Sequence, residues 1–141
     1  MTRRNERHRR TRGRRISGSF LSLPHTLLHH RNFQGLRAKS VKLLIDLAAQ
    51  YKGWNNGDLC APLSIMRKKG WSSNEQLFRA RNELVERGFL RVSRQGGRNQ
   101  CTLYALTWQP IDDCGGKLDI TATTTAPHDW KRWTPPNRGS T

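Results

Sequence analysis

Four side chains that can form hydrogen bonds to base edges lie close together in the middle of the chain: Ser73, Asn74, Gln76 and Arg79. An amide can bond adenine through two atoms, and a guanidinium can do the same with guanine. Direct base recognition is one interpretation of this segment, and an ordinary solvated helix face is the other. Carboxylates that would repel phosphates follow on the same segment and restrict the predicted contact to its first two turns: Glu75, Glu83 and Glu86.

A second group of polar residues is suited to the phosphate backbone. Its members flank the same segment on both sides and are mostly cationic: Lys68, Lys69, Arg91, Arg94, Gln95 and Arg98. Lys39 and Lys42 lie further upstream. The pair Gly96-Gly97 between arginines is typical of a close approach to a backbone. We predict phosphate contacts for this group, with scattered solvated charge as the alternative.

The first 19 residues contain eight arginines and one glutamate, a formal charge of +7. The arginines are Arg3, Arg4, Arg7, Arg9, Arg10, Arg12, Arg14 and Arg15. Because this arm has almost no apolar residues, we expect it to be disordered when free. It could follow a DNA minor groove or backbone. It also resembles the arginine-rich RNA-binding peptides of phage antiterminators. Nonspecific affinity for polyanions is the third interpretation.

Two tryptophans, Trp130 and Trp133, flank two cations in an otherwise polar tail. Exposed tryptophan is unusual enough to need a reason. The pair is predicted to be a short motif that docks on a partner protein or stacks on nucleotides. The alternative is a tail that folds back over the core of its own domain.

Catalytic and metal-binding patterns are absent from the sequence. There is no phosphate-loop, GxSxG or HExxH motif, and the ten acidic residues include one adjacent pair, Asp112-Asp113. His25, His29 and His30 have no metal-ligand spacing and are expected to lie on an N-terminal helix. Three widely spaced cysteines, Cys60, Cys101 and Cys114, argue against a disulfide framework and a zinc site. We expect no enzyme activity, no metal and no cofactor.

Composition restricts the remaining choices. The 141 residues include 26 Lys and Arg against 10 Asp and Glu, and hydrophobic residues make up 34%. The formal charge of +16 is the footprint of a nucleic-acid binder. Residues 20–110 contribute +9, and residues 111–141 are neutral overall. No segment has the length and apolarity of a membrane span or a signal peptide, so a cytoplasmic protein with one small domain is expected.

Hydrophobic periodicity predicts the elements that position these side chains. Apolar residues at spacings of three and four predict a helix over 36–51, and Leu59 to Ala61 should be a short extended piece. Pro62 suits the first turn of a second helix, which Gly70 ends. Alternating residues from Leu90, and a run from Cys101 to Trp108, predict two strands joined by a glycine-rich, basic hairpin loop.

The helix between these parts carries the proposed base contacts. Ser72 and Glu75 have the spacing of a capping box at its start. Its buried face is predicted to contain Leu77, Ala80 and Leu84, flanked by Phe78 and Val85. Arg81 falls inside that apolar arc, and we expect its stem to pack while its head reaches the surface.

Residues 76–90, a helix ending in Leu-x-x-x-Gly followed by an apolar pair and a basic hairpin, resemble the junction of winged helix-turn-helix proteins. The resemblance covers about residues 36–109. The chain is also similar to small proteins of bacterial phages and mobile elements. The resemblance implies a mainly α fold with a β-hairpin: a disordered basic arm (1–19), a winged-helix domain (20–110) and an extended tail (111–141).

The function that this resemblance implies is sequence-selective binding of double-stranded DNA, by a transcriptional regulator or a replication-initiation accessory of a mobile element. A homodimer reading two half-sites is compatible with it. RNA binding by the arm, and a protein-interaction or inhibitory role of the winged domain with its Trp-containing tail, are the alternatives.

Overall fold

The computed structural model describes residues 17–136, so the arginines of the predicted arm lie outside the described residues. The described part contains six α-helices and a three-stranded antiparallel sheet, a mixed α/β architecture. The helices are α1 (His25–Leu28), α2 (Arg31–Gln34), α3 (Ala38–Ala48), α4 (Leu63–Met66), α5 (Asn74–Glu86) and α6 (Asp129–Arg132). The strands are β1 (Leu59–Cys60), β2 (Leu90–Arg94) and β3 (Leu103–Leu106), and short 3-10 turns lie at Arg67–Lys69 and Cys114–Gly116.

The three helices predicted in the middle of the chain are present as α3, α4 with its 3-10 turn, and α5. Leu43, Leu44 and Leu47 of α3 are fully buried, as the apolar spacing predicts. The start of α5 differs by one residue from the predicted capping box. Ser73 is the N-cap, and its hydroxyl accepts a 3.3 Å hydrogen bond from the backbone N–H of Gln76.

The hairpin belongs to a larger sheet than a mainly α fold implies. The strand order is β1-β3-β2, and Cys60 of β1 lies opposite Leu103 of β3. All four residues of β3 are buried, as expected for a central strand covered on both faces. A register shift between Val92 and Arg94 bends β2 near the hairpin loop.

The hairpin loop is closed by a bridge between Gly97 and Gln100. A Cβ atom on Gly96 would come within 2.5 Å of the backbone nitrogen of Thr102 on the opposite arm. Gly96 is therefore required by the hairpin itself. The close approach seen at Gly96 is to the opposite arm of the hairpin, and the predicted approach of the glycine pair to a phosphate backbone stays a prediction.

Asn56 joins the loop before β1 to the end of β3 from a fully buried position. Its side-chain oxygen accepts a 2.7 Å hydrogen bond from Leu106 N–H, and its Nδ2 donates to the carbonyl oxygens of Leu106 and Pro110 at 2.9 and 2.8 Å. A buried amide with all these partners orders the loop at no cost in unsatisfied polar groups.

The tail packs back on the domain, so the prediction of an extended tail is wrong for residues 111–136. Asp119 N–H donates to the Ser93 carbonyl at 2.8 Å, and the Asp119 carboxylate accepts a 2.9 Å bond from Gln95 N–H. Further along, Trp130 of α6 is 1% exposed and stacks on Phe89 with ring centroids 6.2 Å apart. Residues 20–110 therefore do not contain the whole core.

The residues that surround Trp130 come from both halves of the chain. The buried Asn32 side chain of α2 donates hydrogen bonds to the Trp130 and Trp133 carbonyls at 2.6 and 2.9 Å. Gly88 lies beneath α6 with φ +84°, and a Cβ there would meet Asp129 at 2.7 to 2.9 Å. The prediction that Trp130 docks on a partner is corrected, because its ring already fills the core of its own domain.

Replacing Trp130 with alanine should lower the free energy of unfolding by about 3–5 kcal/mol, because a large buried ring is removed and a cavity remains. Trp54→Ala is the matched control, since Trp54 is 69% exposed, and it should change stability by about 0.5 kcal/mol or less. Urea unfolding followed by far-UV circular dichroism measures both. Equal effects of the two substitutions would contradict the core role of Trp130.

Candidate nucleic-acid interface

The sheet places three basic segments at one of its ends. Strand β1 is antiparallel to β3, and its last residue, Cys60, lies opposite Leu103, where the chain leaves the hairpin loop. The segment after β1 therefore starts beside the hairpin loop and continues through α4 to the turn Arg67–Lys69. Four residues separate the end of this turn from the start of α5. The first turns of α5 lie near the same end of the sheet, because Phe78 lines one groove with Ala61 and another with Gln95.

The exposed face of α5 is polar and carries one aromatic ring. Its first three turns expose Asn74, Glu75, Phe78, Arg79 and Asn82. Arg79 donates a 2.6 Å hydrogen bond to Glu75, so the carboxylate nearest the start of the helix is already neutralised. This pair lies in solvent and contributes little to stability.

The four predicted base-contacting residues do not share one face. Gln76 and Arg79 line a groove against Arg37 and Lys39 at the start of α3. Asn74 lines a different groove, together with Phe78 and Arg81. Ser73 is half-buried and its hydroxyl caps the helix, so it is held by the fold. Asn74, Gln76 and Arg79 remain as exposed polar groups.

Phe78 is 52% exposed, which corrects the prediction that it flanks the buried face of α5. The core side of the helix is narrower than predicted and is centred on Leu77, Ala80 and Leu84, which are at most 2% exposed. Arg81 is half-buried, and its guanidinium lies 5.4 Å from the centre of the Phe78 ring. The guanidinium of Arg81 thus lies beside both the exposed Phe78 ring and the buried Tyr104.

The predicted backbone-contacting residues divide into two groups. Arg91 forms a two-point ion pair with Asp129 of α6 at 3.0 and 2.8 Å, and Arg94 donates a 3.1 Å bond to the Cys101 carbonyl across the hairpin. Both side chains are therefore engaged in holding the fold. Gln95 is exposed, although its backbone N–H is bonded to Asp119.

The other group consists of exposed cations. Over residues 17–136, no carboxylate lies within 4 Å of the charged groups of Lys68, Lys69 or Arg98. The same holds for Lys39 and for Arg67, which the sequence analysis did not select. The signal for Arg67 was its place in the run Arg67-Lys68-Lys69, which forms one exposed 3-10 turn.

Lys42 links this turn to α3. Its ammonium group donates to Asp46 at 2.8 Å and to the Lys69 carbonyl at 2.6 Å. The same Asp46 carboxylate accepts a 2.8 Å bond from the indole N–H of the buried Trp71. Because these contacts fix the turn against α3, the neighbouring cations are held on a defined surface.

Acidic residues gather at the opposite end of the sheet. Asp58 directly precedes β1, and the Asp112 carboxylate accepts a 2.8 Å bond from the Asn56 backbone N–H. Asp113 is exposed beside it. The Asp58 carboxylate is paired with Lys117 at 2.7 Å, and the Asp119 carboxylate lies beside Gln95 at the hairpin end. Both signs of charge therefore occur at both ends of the sheet.

Glu83 does not belong to the exposed face of α5, which corrects its assignment as a carboxylate that would repel phosphates. Its side chain is 9% exposed and accepts hydrogen bonds from the backbone N–H and Nε of Arg37 at 3.0 and 3.2 Å. Burial alone would raise the pKa of this carboxyl. Hydrogen bonding to the Ser40 hydroxyl and the Arg37 backbone N–H, together with the charges of Arg37 and Arg87, outweighs burial and brings the pKa below its usual value.

Histidine and cysteine side chains do not form a metal cluster in residues 17–136, where no group of three possible ligands converges. His30 has a structural role, since its Nδ1 accepts a 3.0 Å bond from Asn32 N–H at the start of α2. Burial, followed by the nearby Cys101, raises the pKa of the Cys60 thiol to about 11. A thiol with this pKa is protonated at neutral pH and is a poor nucleophile.

Comparison with known proteins found no family model, curated protein or solved structure that matches this chain. The helices of the described region are all too short or too polar to cross a membrane.

Glu83→Gln should lower the free energy of unfolding by about 1–3 kcal/mol at pH 7, because it removes the charge on which the Arg37 and Arg87 contacts depend. Since the pKa of Glu83 is lowered in the folded state, its stabilisation is present above the ordinary glutamate pKa and is lost as the pH falls. The difference from the unsubstituted chain should therefore shrink below about pH 4.

Glu75→Gln is the matched control, since it removes an exposed ion pair to an arginine of the same helix and should cost about 0.5 kcal/mol or less. Urea unfolding between pH 3 and pH 8 measures both variants. A difference for Glu83→Gln that stays constant with pH would contradict the assigned ion pairs.

Proposed function

We propose that the domain binds double-stranded DNA as a winged helix-turn-helix, with the first turns of α5 in the major groove and the β2–β3 hairpin as the wing. One observation carries the proposal. The exposed start of α5 shares a groove with Lys39, lies beside the hairpin that carries Arg98, and is preceded along the chain by the exposed turn Arg67–Lys69. No carboxylate of residues 17–136 lies within 4 Å of the charged groups of these five cations.

The order of elements supports this assignment. Helix α3 is followed by β1, then by α4, α5 and the hairpin, which is the order that the resemblance to winged helix-turn-helix proteins implies. A helix presented at a surface with polar side chains in its first turns is suited to the major groove, which is wide enough to admit it. The exposed Asn74 and Arg79 supply the hydrogen-bonding groups.

The chemistry favours a duplex because the two kinds of contact are adjacent. Phosphate contacts by the five cations would fix the position of the domain, and α5 would then contact base edges. Glu86 is exposed on the last turn of α5 and would repel phosphates, so the contact is restricted to the first turns. The basic arm would add nonspecific affinity for the same polyanion.

The biological role that we propose is that of a transcriptional regulator or a replication-initiation accessory of a mobile element. Both roles need a small basic domain that recognises a particular duplex. The rival role of the Trp-containing tail as a partner motif loses its main support, because Trp130 is buried and Trp133 is half-buried against the Arg87 guanidinium, 4.6 Å from its ring centre.

The triple substitution Lys68→Ala, Lys69→Ala and Arg98→Ala should weaken duplex binding by roughly 10- to 100-fold at 0.15 M salt. Three phosphate contacts contribute about 0.9 each to the log–log salt slope, so the slope should fall by about 2.7. Fluorescence anisotropy with labelled duplexes over a series of salt concentrations measures both quantities.

The matched control removes the same charge elsewhere, with Arg31→Ala, Lys52→Ala and Lys131→Ala. These cations are also exposed, and no carboxylate of the described chain lies within 4 Å of their charged groups. The control should retain most of the affinity. Equal loss in both triple variants would show that net charge alone drives binding. An RNA hairpin that competes better than any duplex, and does so only when residues 1–19 are present, would favour RNA binding by the arm.

A further inference from the structure

Phe78 is an exposed aromatic residue on the otherwise polar exposed face of α5. It lies on the second turn of α5, one residue from Arg79, and 52% of its surface is exposed. Exposure of a large ring is unfavourable in water. Single exposed apolar residues are common on protein surfaces, and Phe78 is the exposed large apolar residue on the helix that we propose to enter the major groove.

The ring is held in place by its neighbours. The Arg81 guanidinium lies 5.4 Å from the ring centre, which is within the range of a cation–π interaction. Arg81 in turn lines the groove between α5 and the hairpin with Val92 and Tyr104. The ring is thus presented from a rigid helix at a defined position.

Small apolar surface lies on both sides of the ring. One groove beside Phe78 is lined by Ala61, Leu63 and Leu77, and the groove on the hairpin side is lined by Val85 and Val92. The surface thus has an apolar spot beside the guanidinium of Arg81, on a helix that also shares a groove with Lys39. No carboxylate of residues 17–136 lies within 4 Å of either charged group. A ligand that matches both features must be anionic at its margins and apolar at one point.

The major groove of DNA has this combination. Phosphates line its two margins, and the 5-methyl group of thymine is its one exposed apolar feature. Resting on the proposed duplex binding by α5, we propose that Phe78 contacts the 5-methyl group of a thymine and makes the domain select thymine at that position. The occupant is therefore a thymine-containing duplex, and charge complementarity favours it over an apolar protein surface.

The closing experiment compares thymine with uracil, which lacks only this methyl group. A duplex that binds the full chain is first selected from a random library and then synthesised with deoxyuridine in place of each thymidine in turn. Loss of one buried methyl group corresponds to about a threefold to fivefold weaker binding at a single position. Phe78→Ala should bind the two duplexes equally well, and Phe78→Leu should keep part of the preference.

Phe20→Ala is the matched control, since Phe20 is 75% exposed and lies before α1, and it should retain the full preference. Thermal unfolding confirms that the variants are folded. A selected duplex that binds equally with and without every methyl group overturns the thymine contact while leaving duplex binding intact. A methyl preference that survives Phe78→Ala also overturns it.

Two further outcomes separate the proposals. Failure to select any duplex would overturn duplex binding, and the thymine contact with it. Binding that is stronger to single-stranded oligonucleotides and is lost in Phe78→Ala would overturn the methyl contact in favour of stacking on unpaired bases.

Discussion

The burial of Trp130 is the constraint on which the rest of the described structure depends. The ring stacks on Phe89 at the start of the sheet, and the Asn32 side chain holds the two tryptophan carbonyls of the tail from α2. Residues near both ends of the described chain thereby close over the α5–β2 junction. Because α5 leaves this junction towards the hairpin loop, the packing around Trp130 also fixes the direction in which α5 presents its first turns.

The arginines and lysines of the described residues fall into two groups, those paired with carboxylates and those left unpaired. The carboxylates that the fold needs are paired with arginine: Glu83 with Arg37 and Arg87, and Asp129 with Arg91 and Arg132. The sequence alone does not distinguish these paired arginines from the cations that remain unpaired. The cations that no carboxylate of residues 17–136 pairs with add to the self-repulsion of a chain of net charge +16. A polyanion that bound the folded domain would therefore also stabilise it.

Local patterns predicted the helices and strands because each depends on its own residues. The spacing of Leu43, Leu44 and Leu47 defines α3, and alternation after Leu90 defines β2. What failed were statements about contacts between distant segments. The residues near Phe78 in the sequence do not reveal that its ring is left uncovered. The residues near Arg91 likewise do not reveal that its guanidinium pairs with Asp129, 38 residues later. The sequence was also compatible with two positions of the Trp130 ring, exposed for a partner or buried in the core of its own domain. Only the packing of α2 and Gly88 decides between them.

The contacts of Asp119 have a consequence for the association of one molecule with another. Strand β2 is an edge of the sheet, and an edge with free backbone groups can pair with a strand of a second chain. Asp119 occupies the Ser93 carbonyl and the N–H of Gln95 at the end of this edge. The opposite edge, β1, is two residues long. Both edges thus offer little backbone for pairing, and the tail protects the sheet against aggregation through its strands.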